Sequence, residues 1–130
     1  GGTWQPMRTG TSAFINSVLV LSDTEAYAVD ENGLLISYDG NEDNDWDLVA
    51  KVSKWPIKKI WGTSGNDLFV VVDVWGPETV GGSDLIYHYD GSSFSKLESI
   101  AAKNLYGAWG TSGDSIYFVG NSGVILHYER

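Results

Sequence analysis

The sequence predicts an all-β fold assembled from repeated four-stranded sheets, and three observations carry that prediction. First, Trp4, Trp46 and Phe94, then Val18, Ile60 and Ala108, then Tyr27, Phe69 and Tyr117 form triplets that each advance by 42 and then 48 residues. Second, the spacing is constant where side chains must pack: 14 residues separate the first set from the second, and 9 separate the second from the third. The step from the second aromatic to the tyrosine of the next strand (Tyr38, Tyr89, Tyr128) is instead 11, 20 and 11 residues. Length changes therefore fall in hairpin loops, where an extra residue disturbs no packing. Third, no segment sustains a helical period. A tandem period of about 40 to 50 residues made of short strands is the signature of a β-propeller, one four-stranded sheet per repeat.

Each repeat parses into an inner strand, two middle strands and an outer strand. The inner strand is apolar and ends in a turn, as in Ile57–Gly62 before Thr63-Ser64-Gly65-Asn66-Asp67, and Asn16–Leu21 and Leu105–Gly110 match it. The second strand is short and rich in aromatic or branched residues: Ala26–Val29, Leu68–Val72 and Ile116–Val119. The third alternates toward a tyrosine in Leu34–Tyr38, Leu85–Tyr89 and Val124–Tyr128. Asp39-Gly40 and Asp90-Gly91 then supply hairpin turns. The outer strand carries the other aromatic, in Trp4–Met7, Trp46–Val49 and Phe94–Leu97.

The phase of the repeat is informative. The chain starts on an outer strand within residues 1–8, continues through repeats at 14–51 and 57–98, and closes with 104–130, which lacks an outer strand of its own. The 130 residues thus read as one propeller segment whose last sheet misses the strand that its first residues supply. Three sheets cannot close on themselves, since propellers take about four to eight. An open arc would bare sheet faces and a strand edge. Two arrangements resolve this: a homodimer closing a six-bladed ring, each N-terminal strand completing the other chain's third sheet, or an excerpt of a longer propeller. The Gly1-Gly2 start without methionine is expected to be a processed end, an excerpt boundary or a tag scar.

Composition agrees with this architecture. Sixteen glycines suit turns, and 6 Trp, 7 Tyr and 4 Phe suit packing between sheets. The absence of cysteine excludes disulfides and thiolate metal sites. A formal net charge of -9 argues against nucleic acid or an anionic membrane surface as partner. No stretch approaches the roughly 20 apolar residues of a membrane span, so membrane insertion is not expected.

The segments Ile60-Trp61-Gly62-Thr63-Ser64-Gly65-Asn66-Asp67-Leu68-Phe69-Val70-Val71 and Ala108-Trp109-Gly110-Thr111-Ser112-Gly113-Asp114-Ser115-Ile116-Tyr117-Phe118-Val119-Gly120 carry a recognisable motif. Together with Gly123-Val124-Ile125-Leu126-His127-Tyr128, they resemble a bacterial secreted or cell-surface β-propeller repeat family. The resemblance covers the whole chain and implies the fold, an extracellular or cell-surface location, and almost nothing about activity. The first copy departs from the pattern: Leu19-Val20-Leu21-Ser22-Asp23-Thr24-Glu25 lacks the signature tryptophan. The Ser-x-Asp-x-Gly box of sialidase-type propellers is also missing, which speaks against a glycosidase.

Residues that belong to the repeat are read as structural. His88 and His127 recur at one strand position on different sheets, Trp61 and Trp109 are expected to wedge between neighbouring sheets, and Asp67 and Asp114 are expected to cap turn amides. Residues that break the repeat are the functional candidates. In the run from Asp39 to Asp47, Asp39, Asn41, Asp43 and Asp45 place oxygen donors at the alternating spacing of a calcium loop. Asn44 and Ala50 stand where an EF-hand needs glycine and glutamate, so that motif is excluded, and a solvated acidic turn is the simpler reading. The extension 73–84 adds Trp75, and the connection into the same repeat adds Trp55, neither with a repeat counterpart. With Asp73 and Glu78 nearby, these tryptophans would suit a sugar, whose apolar face stacks on an indole while its hydroxyls bond carboxylates.

The function expected from these residues is a non-enzymatic binding module, lectin-like through Trp75, Trp55, Asp73 and Glu78, with a glycan or a surface protein as partner. The alternative is a structural or subunit-interaction scaffold, in which the same tryptophans are buried by another chain. No nucleophile–base pair or paired carboxylates stand apart from the repeat, so no catalytic residue and no cofactor beyond possible calcium is assigned.

Overall fold

A computed structural model describes residues 2–43, 45–74, 84–97 and 104–130. These residues form three antiparallel sheets in chain order. The first contains β1 (Ile15–Ser22), β2 (Glu25–Asp30), β3 (Leu34–Tyr38) and β4 (Asp47–Lys51). The second contains β5 (Ile57–Ser64), β6 (Asp67–Val72), β7 (Leu85–Tyr89) and β8 (Phe94–Lys96). The third contains β9 (Leu105–Ser112), β10 (Ser115–Gly120) and β11 (Ile125–Glu129), with a single 3-10 turn, Asn121–Gly123, before its last strand. There is no α-helix among the described residues, and no helix long and apolar enough to cross a membrane.

Burial explains the order in which the sheets stack. Strand β6, Asp-Leu-Phe-Val-Val-Val, is covered on both faces, which its nearly continuous apolar run requires. Strands β1 and β10 alternate between covered and open positions, so each shows one face to a neighbour and the other to solvent. The second sheet is therefore the middle layer. One core joins Val29 and Leu35 of the first sheet to Ile57, Ile60, Leu68 and Val70 of the second. A second core joins Trp61, Phe69 and Ile86 to Leu105, Ile116 and Phe118 of the third. The inner strand β5 lies against β1 on one side and β9 on the other, so the sheets meet along their first strands.

Polar groups clip the layers together. Asn16 donates from Nδ2 to the Ile57 carbonyl (2.9 Å), and the Ile60 amide donates to Ser17 Oγ (3.2 Å). Between the second and third sheets, Asp84 Oδ2 accepts from the Leu105 amide (2.6 Å) and from Lys58 Nζ (3.0 Å). Asp84 is only 2% exposed, so these two donors balance the cost of burying its charge. Gly33 is required between β2 and β3: its φ is +77°, and a Cβ there would sit 1.9 Å from the Ser53 carbonyl oxygen.

Strands β3 and β7 occupy the residues expected for them, and β11 starts one residue later than the expected Val124. The outer strand expected at Trp4–Met7 is not formed within the single chain, where Thr3–Met7 joins no sheet and Arg8 bridges to Asp45. The reason is topological, because the sheet that this strand matches by repeat lies at the other end of the stack.

Candidate functional site

Each complete sheet closes its outer hairpin with an aromatic pair. Tyr38 meets Trp46 with ring centroids 5.7 Å apart, and Tyr89 stacks on Phe94 at 4.5 Å. These are pairs between the third and fourth strands, where the repeat keeps an aromatic on both. In the third sheet Tyr128 stands at the same position, with no fourth strand beside it among the described residues. The outer edge of β11 pairs with no described strand. Beside that edge a groove of about 580 Å³ opens between Ile86 and Leu97 of the second sheet and Phe118, Leu126 and Tyr128 of the third, with Lys96 and His127 at its margin.

The two outer faces of the stack are apolar and open. The first sheet exposes Val18, Val20 and Leu48, and the third exposes Tyr117, Ile125 and Trp109, the last at 72%. Trp61, the repeat counterpart of Trp109, is 7% exposed because the third sheet covers it. The expected wedging thus holds for Trp61, whose ring meets Trp109 edge-on at 6.5 Å, whereas no described sheet covers the other side of Trp109.

Repeat polar residues tie the turns of the second sheet to the end of the third. Asp67 accepts from Thr63 Oγ1, lies 2.7 Å from His88 Nε2 and takes Arg130 at 3.4 Å. Its partners here are these side chains from β5, β7 and the residue after β11, where capping of turn amides was expected. Burial pushes its carboxyl pKa up, but the Thr63 hydroxyl, His88 and Arg130 outweigh this and hold it below its ordinary value. Since the folded value lies below the unfolded one, the link stabilises the fold above about pH 4 and is lost as the pH falls through the lowered value. Burial, aided by a 2.8 Å hydrogen bond to Glu25, pushes the Tyr27 phenol up to about 12. His127 sits against Ser115 Oγ (2.8 Å) and stacks on Tyr117, so the two histidines serve separate sheets.

Of the proposed sugar patch, Trp55 and Asp73 lie among the described residues, and Trp75 and Glu78 lie outside them. The structure brings their two connections together: the Asp73 amide donates to the Pro56 carbonyl at 2.8 Å. Trp55 is half-buried, packs on the first core and walls a cleft of about 280 Å³ with Tyr87, Leu85 and Lys96. Lys54 lies over its indole, 5.1 Å from the ring centre.

In the acidic hairpin, Asn41 uses its side chain to close the turn. Nδ2 donates to Asp39 Oδ1 (2.9 Å) and to the Asp45 carbonyl (2.7 Å), while Oδ1 accepts from the Asp45 amide (3.1 Å). Arg8 Nε donates to Asp45 Oδ1 at 2.6 Å. The Asn41 side chain and amide hold the Asp39 carboxyl below its ordinary value. No group of three metal-binding side chains gathers among the described residues. Calcium at Asp39, Asn41, Asp43 and Asp45 would have to displace these bonds. We expect millimolar calcium to leave the melting temperature unchanged; a rise that disappears on Asp43→Asn with Asp45→Asn would instead establish an ion site.

No family model matches the chain, and no curated protein matches it. Among solved structures it is similar to YCF48 bound to D1 peptide, with a TM-score of 0.69 and 19% identity over 98% of this chain. The match takes in 42% of the YCF48 chain, so the present chain spans less than half the length of that neighbour. YCF48 is a β-propeller, and with the three radially stacked antiparallel sheets the likeness shows a propeller-type, repeat-built fold.

Proposed function

We propose that the chain is a non-catalytic propeller segment that acts by binding protein, and that a second copy completes it as a six-bladed homodimer. The observation that carries this reading is the pair of open apolar faces. Trp109 and Tyr117 of the third sheet occupy the repeat positions of Trp61 and Phe69, which in the second sheet pack against the next layer. Val18 of the first sheet stands likewise at the position of Ile60, which packs with Val29 and Leu35 of the preceding layer, and Val20 lies exposed beside it. The two faces are therefore the two halves of the same sheet-to-sheet interface that occurs twice inside the chain. Exposed apolar surface of this extent marks an interaction site, and a two-fold arrangement would cover both faces at once.

A protein partner for the assembled module is supported by the neighbour, whose bound molecule is a peptide. A glycan is the second reading, favoured by Trp55 and Tyr87 on one cleft wall. Lys54 Nζ lies over the Trp55 indole and would compete with a stacking sugar, so the protein reading is preferred. If a second copy completes the fold, the melting temperature should rise with protein concentration, because association stabilises only the folded state. A melting temperature independent of concentration over a hundredfold range would overturn the homodimer.

A further inference from the structure

The geometry points to the groove beside β11 as the socket for Trp4 of a second copy, whose Thr3–Met7 segment pairs with the free β11 edge. This inference rests on the homodimer proposed above. The groove corresponds, position by position, to a place that is filled between the first and second sheets. There Phe94 stacks on Tyr89 and packs into the core that holds Tyr87 and Val49. Their repeat counterparts are Tyr128, Leu126 and Leu97, and these three line the groove. The counterpart of Phe94 itself is Trp4, which is 98% exposed.

The chain's own Trp4 cannot reach its own groove. Arg8 is bridged to Asp45 on the first sheet, and the four residues from there to Trp4 span at most about 14 Å. The third sheet lies beyond the second, about 20 Å away at the usual spacing of packed sheets. A second copy, its first sheet set against the open face of the third, brings a Trp4 within that reach of the groove. The β7–β8 ladder supplies the register: Tyr89 opposes Phe94, His88 opposes Ser95 and Tyr87 opposes Lys96. By the same pairing Trp4 opposes Tyr128, Gln5 opposes His127 and Pro6 opposes Leu126. Pro6 is tolerated there because the added strand is the outermost of its sheet.

The chain has no cysteine, so engineered cysteines report this pairing directly. Full-length Gln5→Cys and His127→Cys variants are mixed and mildly oxidised, and in parallel the dimerisation constant of Trp4→Ala is measured. The expected results are a disulfide joining one variant to the other, neither variant cross-linking alone, and dimerisation weakened more than about tenfold on loss of a buried aromatic anchor. Retained near-ultraviolet signal in Trp4→Ala separates this from unfolding. A dimer that persists without the cross-link, unaffected by Trp4→Ala, overturns the socket while leaving the homodimer intact. A chain that stays monomeric defeats the homodimer and the socket together. A disulfide formed within one chain carrying both cysteines, at monomer mass, would put the chain's own N-terminus in the groove and overturn the second copy as occupant.

Discussion

Asp84→Ala is expected to lower the stability of the fold by about 2 to 4 kcal/mol, the scale of breaking a buried, hydrogen-bonded charge pair. The carboxylate holds Lys58 of the second sheet and the Leu105 amide of the third, and its removal leaves both donors without that acceptor. The Lys58 side chain keeps 20% exposure and can partly rehydrate, which is why the low end of the range is included. Against a total of roughly 5 to 15 kcal/mol for a domain, the loss is large. Asp84→Asn keeps an oxygen for the amide but not the charge, and should recover part of the loss. Urea unfolding gives the readout: a midpoint shift equivalent to less than about 0.5 kcal/mol for the alanine variant, the scale of an ordinary surface change, would mean that this residue does not clamp the sheets.

Trp109→Lys is expected to abolish the dimer while barely changing the stability of the isolated chain. Its indole is mostly exposed in the single chain, so little packing is lost on substitution. In the closed ring the same position would be covered as Trp61 is, and a lysine there would bury an unpaired charge. Trp61→Lys is the contrasting variant: already covered within the chain, it should unfold the protein. If Trp109→Lys leaves association unchanged, the third-sheet face is not the contact surface. If it unfolds the chain outright, the residue serves packing that the single-chain structure does not show.

The strand pattern was legible in the sequence because packing between sheets demands the same residue types at the same intervals. Tyr27, Phe69 and Tyr117 mark one strand position each time, and only loops change length. The inter-sheet clamp was not legible. Asp84 ends a long insertion and reads as a loop residue, while its partners Lys58 and Leu105 lie 26 and 21 residues away along the chain. The same holds for Asp67, whose partners lie in β5, in β7 and just after β11. Trp4 reads in the sequence as an outer-strand residue, yet in the single chain it joins no sheet and its indole faces solvent, since pairing and exposure depend on which sheet stands next to it. In the acidic hairpin the alternating oxygens suggest an ion loop, but the asparagine in its middle closes the turn with its own amide, a use that spacing alone does not reveal.

Completion of this fold by a second copy should be visible in the mass of the protein in solution, measured by sedimentation at micromolar concentration. A compact species of twice the 14.2 kDa chain mass is expected. A folded, soluble monomer with an intact near-ultraviolet signal at every concentration would contradict it.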